Sequence, residues 1–180
     1  MEGLEKILLG CKNQNLVSQE KLYRQFYPGL FSLCSNFFDD QHEIITAINN
    51  GMLNVFRKIN QFDDTKGLLF NWTYTIVRNA ALTLLRDKKK IAEVEILDNY
   101  DAGTDFYTNE SSQEVLNYLN VLPVTTRSIC SLFYVEDFSI KEIAIMLDTK
   151  EGTIKWHLSE GRNRLKPLLT VNFKFLKSAG

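Results

Sequence analysis

The sequence predicts an all-α protein made of two small helical domains joined by an acidic linker, and three observations carry that prediction. Apolar residues recur at three- and four-residue spacing along most of the chain, the period of amphipathic helices. Charge is segregated within a near-neutral total of −1. Residues 1–90 carry twelve Lys/Arg against nine Asp/Glu, residues 91–112 carry six acids and no Lys or Arg, and residues 113–180 carry nine bases against seven acids. Finally, Phe138 to Lys166 (FSIKEIAIMLDTKEGTIKWHLSEGRNRLK) has the pattern of two short helices joined by a tight turn.

Within residues 1–90, Leu4, Ile7 and Leu8 open a short amphipathic helix. A long aromatic-rich helix follows, from Leu22, Tyr23, Phe26 and Tyr27 through Leu30, Phe31, Leu33 and Cys34 to Phe37 and Phe38, with Pro28 expected to interrupt and kink it. Ile44, Ile45, Ile48, Met52, Val55, Phe56 and Ile59 give a third helix that ends near Asn60. The polar loop Asp63-Asp64-Thr65-Lys66-Gly67 leads to a fourth, marked by Phe70, Trp72, Tyr74, Ile76, Val77, Ala80, Ala81, Leu84 and Leu85 and closed by Arg86-Asp87-Lys88-Lys89-Lys90. Most of these aromatics suit a core. Trp72, Tyr74 and Arg78 also suit unstacked bases and a phosphate backbone, and packing and base stacking are both open readings for them. The lysine run fits either a solvated helix end or a nucleic-acid contact.

Residues 91–112 have no helical period and end in small polar residues, which reads as a linker. Its acids (Glu93, Glu95, Asp98, Asp101, Asp105, Glu110) would repel phosphates.

In residues 113–180, Ser139 and Glu142 have the spacing of a capping box. Ile140, Ile143, Ala144 and Leu147 then form one apolar stripe. Asp148-Thr149-Lys150 is the expected turn, because Asp tolerates left-handed backbone better than most residues. From Glu151, Ile154, Leu158, Gly161 and Leu165 face inward and leave Lys155, Trp156, Ser159, Arg162, Asn163 and Lys166 outside, with Thr153 near the helix start. Such a helix suits a DNA major groove. Lys150 to Lys177 carries seven bases against two acids, which favours nucleic acid over an ordinary solvated hairpin.

Hydrophobic content of 44% and charged content of 24% are those of a globular chain. No apolar run is long enough to span a membrane, and the start MEGLEKILLGCKNQ lacks the basic and apolar blocks of a signal peptide, so a cytoplasmic location is expected. Cys11, Cys34 and Cys130, with His42 and His157, offer no metal-ligand spacing and read as buried reduced thiols. No catalytic constellation or phosphate-binding glycine loop is present, so neither an enzyme, a cofactor nor a small-molecule substrate is expected.

Taken together, EKLYRQFYPGLFSLCSNFF with FNWTYTIVRNAALTLLRDKKK resembles region 2, and LNYLNVLPVTTRSICSLFYVEDFSIKEIAIMLDTKEGTIKWHLSEGRNRLKPLL resembles region 4, of bacterial RNA polymerase sigma factors of the extracytoplasmic-function (ECF) group in the sigma-70 family. The resemblance spans about residues 4 to 169 and implies an initiation factor that binds core polymerase and promoter DNA, with an anti-sigma factor as a further partner. It implies that Thr153, Lys155, Trp156, Ser159 and Arg162 read the −35 element as duplex. It places capture of the melted −10 element on Lys66, Asn71, Trp72 and Tyr74, with Arg78, Asn79, Arg86, Lys88, Lys89 and Lys90 near the strand backbone. Core-polymerase contacts fall on Asn49, Asn50, Leu53 and Phe56.

Three departures from the family pattern stand out. The polymerase-gripping helix lacks the usual acids across Thr46–Met52 and contains Gly51, which weakens a helix. The turn glycine is Asp148 and the serine cap is Lys150, while Gly161 stands where alanine is usual. Two rival readings are a LuxR-type regulator, suggested by Thr153, Lys155, His157 and Leu158, and a degenerate sigma-like protein that only titrates a partner. The former needs a sensing domain that the block around Trp72 and Arg78 does not resemble.

Overall fold

Each helix begins where the local chemistry allows it. A computed structural model describes the backbone of residues 3–94 and 118–178, and the side chains of residues 3–88 and 118–168. All regular structure among the described residues is helical, and the chain divides into two units, Met1–Ile96 and Leu97–Gly180.

In the first unit, α1 (Leu4–Lys12) buries Ile7 and Cys11, four residues apart on one face. Gln14 adopts a left-handed φ of 58°, and Asn15 then caps α2 by accepting a hydrogen bond from the Ser18 amide at 2.9 Å. α2 (Leu16–Ser35) buries Leu22, Phe26, Leu30, Leu33 and Cys34. It continues through Pro28, contrary to the interruption expected from sequence. Pro28 and Arg24, whose carbonyl loses its partner there, are both exposed, so water can serve the orphaned group.

Asp40 caps α3 (Gln41–Lys58) by accepting from the Glu43 amide at 3.0 Å. The buried side of α3 is Ile44, Ala47, Ile48, Gly51, Met52 and Val55. Two 3₁₀ turns, Ile59–Gln61 and Asp64–Lys66, bring the chain back, and Gly67 takes a φ of 146°. α4 (Leu69–Val94) then runs antiparallel to α3: Glu43 pairs with Lys88 at 2.6 Å near one end, and Gly51 packs on Val77 further along. This helix extends past Lys90, where the sequence pattern placed its end. The expected linker therefore begins inside α4, and its residues 95–112 lie outside the described residues.

In the second unit, α5 (Val124–Cys130) runs into a π turn, Ser131–Val135, before α6 (Ile140–Met146) and α7 (Glu151–Ser178). Its core is Leu119, Leu122, Ile129, Cys130, Leu132, Ile143, Ala144, Leu147, Ile154 and Leu158. The three thiols are buried and unbridged, and burial pushes Cys34 up to about 12 and Cys130 up to about 11. No helix among the described residues is long and apolar enough to cross a membrane.

Candidate nucleic-acid interface

α6 and α7 owe their geometry to short-range chemistry. Glu142 accepts from the Ser139 amide at 2.9 Å while Ser139 Oγ accepts from the Glu142 amide at 3.3 Å, completing the capping box. The Ser139 hydroxyl, which donates to the Glu142 carboxylate at 2.6 Å, and the Ser139 amide hold that carboxyl below its ordinary pKa. Asp148 turns the chain at a φ of 48°, and α7 starts at Glu151, whose carboxylate favours a helix N-terminus. Ile154, Leu158 and Gly161 anchor α7 to the core.

That anchoring fixes the outer face. Thr153, Lys155, Trp156, Ser159 and Arg162 are all exposed, Trp156 at 60%. The Trp156 and His157 rings meet edge to face at 4.8 Å. His157 is half-buried and bonds Thr126 Oγ1 through Nδ1 at 2.9 Å, tying α7 to α5. Burial lowers the His157 pKa, with Glu160 acting in the opposite sense. His157 is therefore a packing residue, which weakens the LuxR-like signal it carried. Arg164 pairs with Glu160 at 2.6 Å, whereas Arg162 donates to the Tyr134 hydroxyl at 3.3 Å.

In the first unit, the stripe Asn71, Trp72, Asn79 and Arg86 lies opposite the buried Thr73, Val77 and Ala81 of α4, with Trp72 and Arg86 half-buried and the buried Leu82 on the stripe's own side. Phe62 braces the partly exposed Trp72 indole at a ring distance of 5.6 Å. Lys66 is exposed and pairs with Asp63 at 3.3 Å, and Arg86 donates to Thr83 at 3.3 Å. Thr65 hydrogen bonds hold the Asp63 carboxyl below its ordinary value. Tyr74 is set apart from the stripe, packed on Phe70 at 6.1 Å, and Arg78 lies half-buried one turn on. Lys88 is exposed but engaged by Glu43, while the Lys89 and Lys90 side chains lie outside the described residues.

On α3, Asn49, Asn50 and Leu53 are exposed and Phe56 is half-buried. Asn49 accepts from the Tyr23 hydroxyl at 2.8 Å, so its carboxamide is oriented from α2. Asn50 and Asn79 line one groove of about 300 Å³ between α3 and α4, together with Asn54, Lys58 and Thr83. Sequence reasoning had not singled out those last three. Their only signal was a helical spacing shared with residues already chosen.

Two family descriptions match the chain: Sigma-70 region 2 over residues 22–91 and Sigma-70, region 4, over residues 112–165. The chain belongs to the sigma-70 family. Its relatives place it in the ECF group. The ECF RNA polymerase sigma factor SigM of Bacillus subtilis (strain 168) is 25% identical over 157 residues, covering 83% of this chain and 93% of that protein. The protein of the same description from Mycobacterium tuberculosis (strain ATCC 25618 / H37Rv) is 27% identical over 150 residues, covering 83% and 76%. Among solved structures, the sigma factor RpoE in complex with the anti-sigma factor NepR from Bartonella quintana aligns with a TM-score of 0.49 and 21% identity, over 84% of this chain and 96% of that one. An ECF sigma factor is an alternative initiation factor that directs core RNA polymerase to specific promoters, and that is the function of this chain. The region 4 match contains α6 and most of the exposed face of α7, and the region 2 match contains the Trp72 stripe and the α3 surface.

Proposed function

We propose that the two units divide promoter recognition between duplex and melted strand. The exposed face of α7, Thr153, Lys155, Trp156, Ser159 and Arg162, meets the −35 duplex in the major groove. The stripe of Asn71, Trp72, Asn79 and Arg86 takes the opened −10 strand, and Lys66, Tyr74, Arg78, Lys88, Lys89 and Lys90 are assigned to the same task from the sequence. Core polymerase docks on Asn49, Asn50, Leu53 and Phe56 of α3, and an anti-sigma factor restrains the chain when it is not needed. The protein acts in the cytoplasm and contributes no catalysis of its own.

The observation that carries this reading is the two-sidedness of α7. One side is anchored by Ile154 and Leu158, 0% and 2% exposed, and the other presents cations and donors to solvent. Pull-down of bacterial core polymerase followed by run-off transcription on genomic fragments tests it directly. New transcripts are expected. A folded protein that does not retain core polymerase returns the chain to the partner-titrating reading.

Two substitutions separate the units. Lys155→Ala should weaken promoter binding by about 1–3 kcal/mol at the base it reads, measured by anisotropy across single-base promoter variants. A loss equal at every variant and abolished by salt would make Lys155 a phosphate contact. Trp72→Ala should slow promoter opening, followed by permanganate reactivity of unpaired thymines, more than it weakens the closed complex. Equal losses in both steps would leave Trp72 a brace for Phe62 alone.

A further inference from the structure

Resting on the reading of α7 as the duplex-facing helix, we propose that Tyr134 joins Arg162 in a clamp on a DNA backbone phosphate beside the base-reading segment. Tyr134 lies in the π turn Ser131–Val135, where a wider helical turn changes the direction of the side chains. It is 49% exposed although aromatic. Its ring is fixed by Phe133, edge to face at 5.0 Å and 88°. Its hydroxyl accepts from Arg162 Nη1 at 3.3 Å, across 28 residues of sequence. The pair therefore joins two separate elements at the protein surface.

Hydrogen-bond chemistry limits what this pair can hold. The Tyr134 oxygen accepts from the guanidinium, which leaves its proton to donate outward, and Arg162 keeps further N–H donors. Donors converging beside a fixed positive charge suit an oxyanion, and DNA offers phosphate.

Position along α7 favours backbone over base. Arg162 is eleven residues past Glu151, so it stands roughly 16 Å up the helix from its first residue, while Lys155 stands roughly 6 Å up. In a helix-turn-helix the N-terminal residues reach base edges, and the groove is about 12 Å wide. A side chain so far up the helix meets the groove's phosphate rim. Arg162 thereby moves from the base-reading set to the backbone set, and Tyr134 enters as a residue that positions it and shares its ligand.

The test uses the full chain, alone and assembled with bacterial core polymerase, with short duplexes recovered by the wild-type protein from a random-sequence pool as the probe. Tyr134→Phe should bind all recovered duplexes about threefold to tenfold more weakly, the worth of one hydrogen bond, with an unchanged melting midpoint. Arg162→Ala should lower the slope of log affinity against log salt by about one and leave the selected base preference intact. The double variant should be no weaker than Arg162→Ala alone, because the two side chains act together. Wild-type affinity in Tyr134→Phe overturns the clamp, as does a lowered melting midpoint with unchanged affinity. A changed base preference in Arg162→Ala also overturns it. Recovery of no duplex by the wild type in either form overturns the duplex-facing reading of α7 itself, and the clamp with it.

Discussion

At Gly161 and Gly51 the missing side chain is what lets two helices touch. A Cβ on Gly161 would lie 2.5 Å from Cys130 Sγ, and one on Gly51 would lie 2.6 Å from the Val77 Cα. Both glycines read in the sequence as departures from the family, and Gly51 also as a weakness in its helix. Each is explained by a neighbour 26 to 31 positions away, which no local pattern displays. The two contacts differ in how far they can yield. Gly161→Ala should destabilise the second unit by about 1–3 kcal/mol in denaturant melts, and adding Cys130→Ala should restore most of that loss by removing the obstructing sulfur. Gly51→Ala gains up to about 1 kcal/mol of helix propensity yet meets backbone, so a net loss is expected. A stability gain would show that α3 and α4 separate freely.

At the scale of elements, legibility followed the range of the interactions involved. The Ser139–Glu142 box and the left-handed Asp148 were readable because their chemistry is complete within a few residues. The extension of α4 to Val94 and the continuity of α2 through Pro28 were not, because tolerance of Pro28 depends on where solvent lies. The exposed side of α7 was legible from periodicity, whereas its link to Tyr134 was not, since a surface hydrogen bond leaves no period. α7 also carries a pH dependence. Burial lowers the His157 pKa in the folded state, so the unfolded chain binds a proton at that site more readily. The stability contributed there is complete above the ordinary histidine value near 6.5 and is lost as pH falls through the lowered folded value. Denaturant midpoints measured on the acid side of neutrality should fall more steeply for the wild type than for His157→Gln. Parallel curves would remove His157 from the account.

For the whole molecule, charge separates the two binding tasks. From Ile44 through Lys58 α3 carries no carboxylate, and the residues proposed to meet polymerase are two carboxamides and two apolar side chains. The second unit from Lys150 onward is strongly basic. Raising salt from about 50 to 200 mM should therefore change core-polymerase affinity by less than about threefold and lower duplex affinity by about tenfold or more. Steep salt dependence of core binding would shift that contact to Arg57 and Lys58 at the end of α3. The Cys130–Gly161 contact has a further meaning for the chain as a whole. Replacing the cysteine with alanine first opens a small space that an alanine at position 161 can then occupy. The opposite order must pass through an overpacked intermediate. The two positions are thus free to drift only along one sequence of steps, and a lineage that keeps the thiol is held to its glycine.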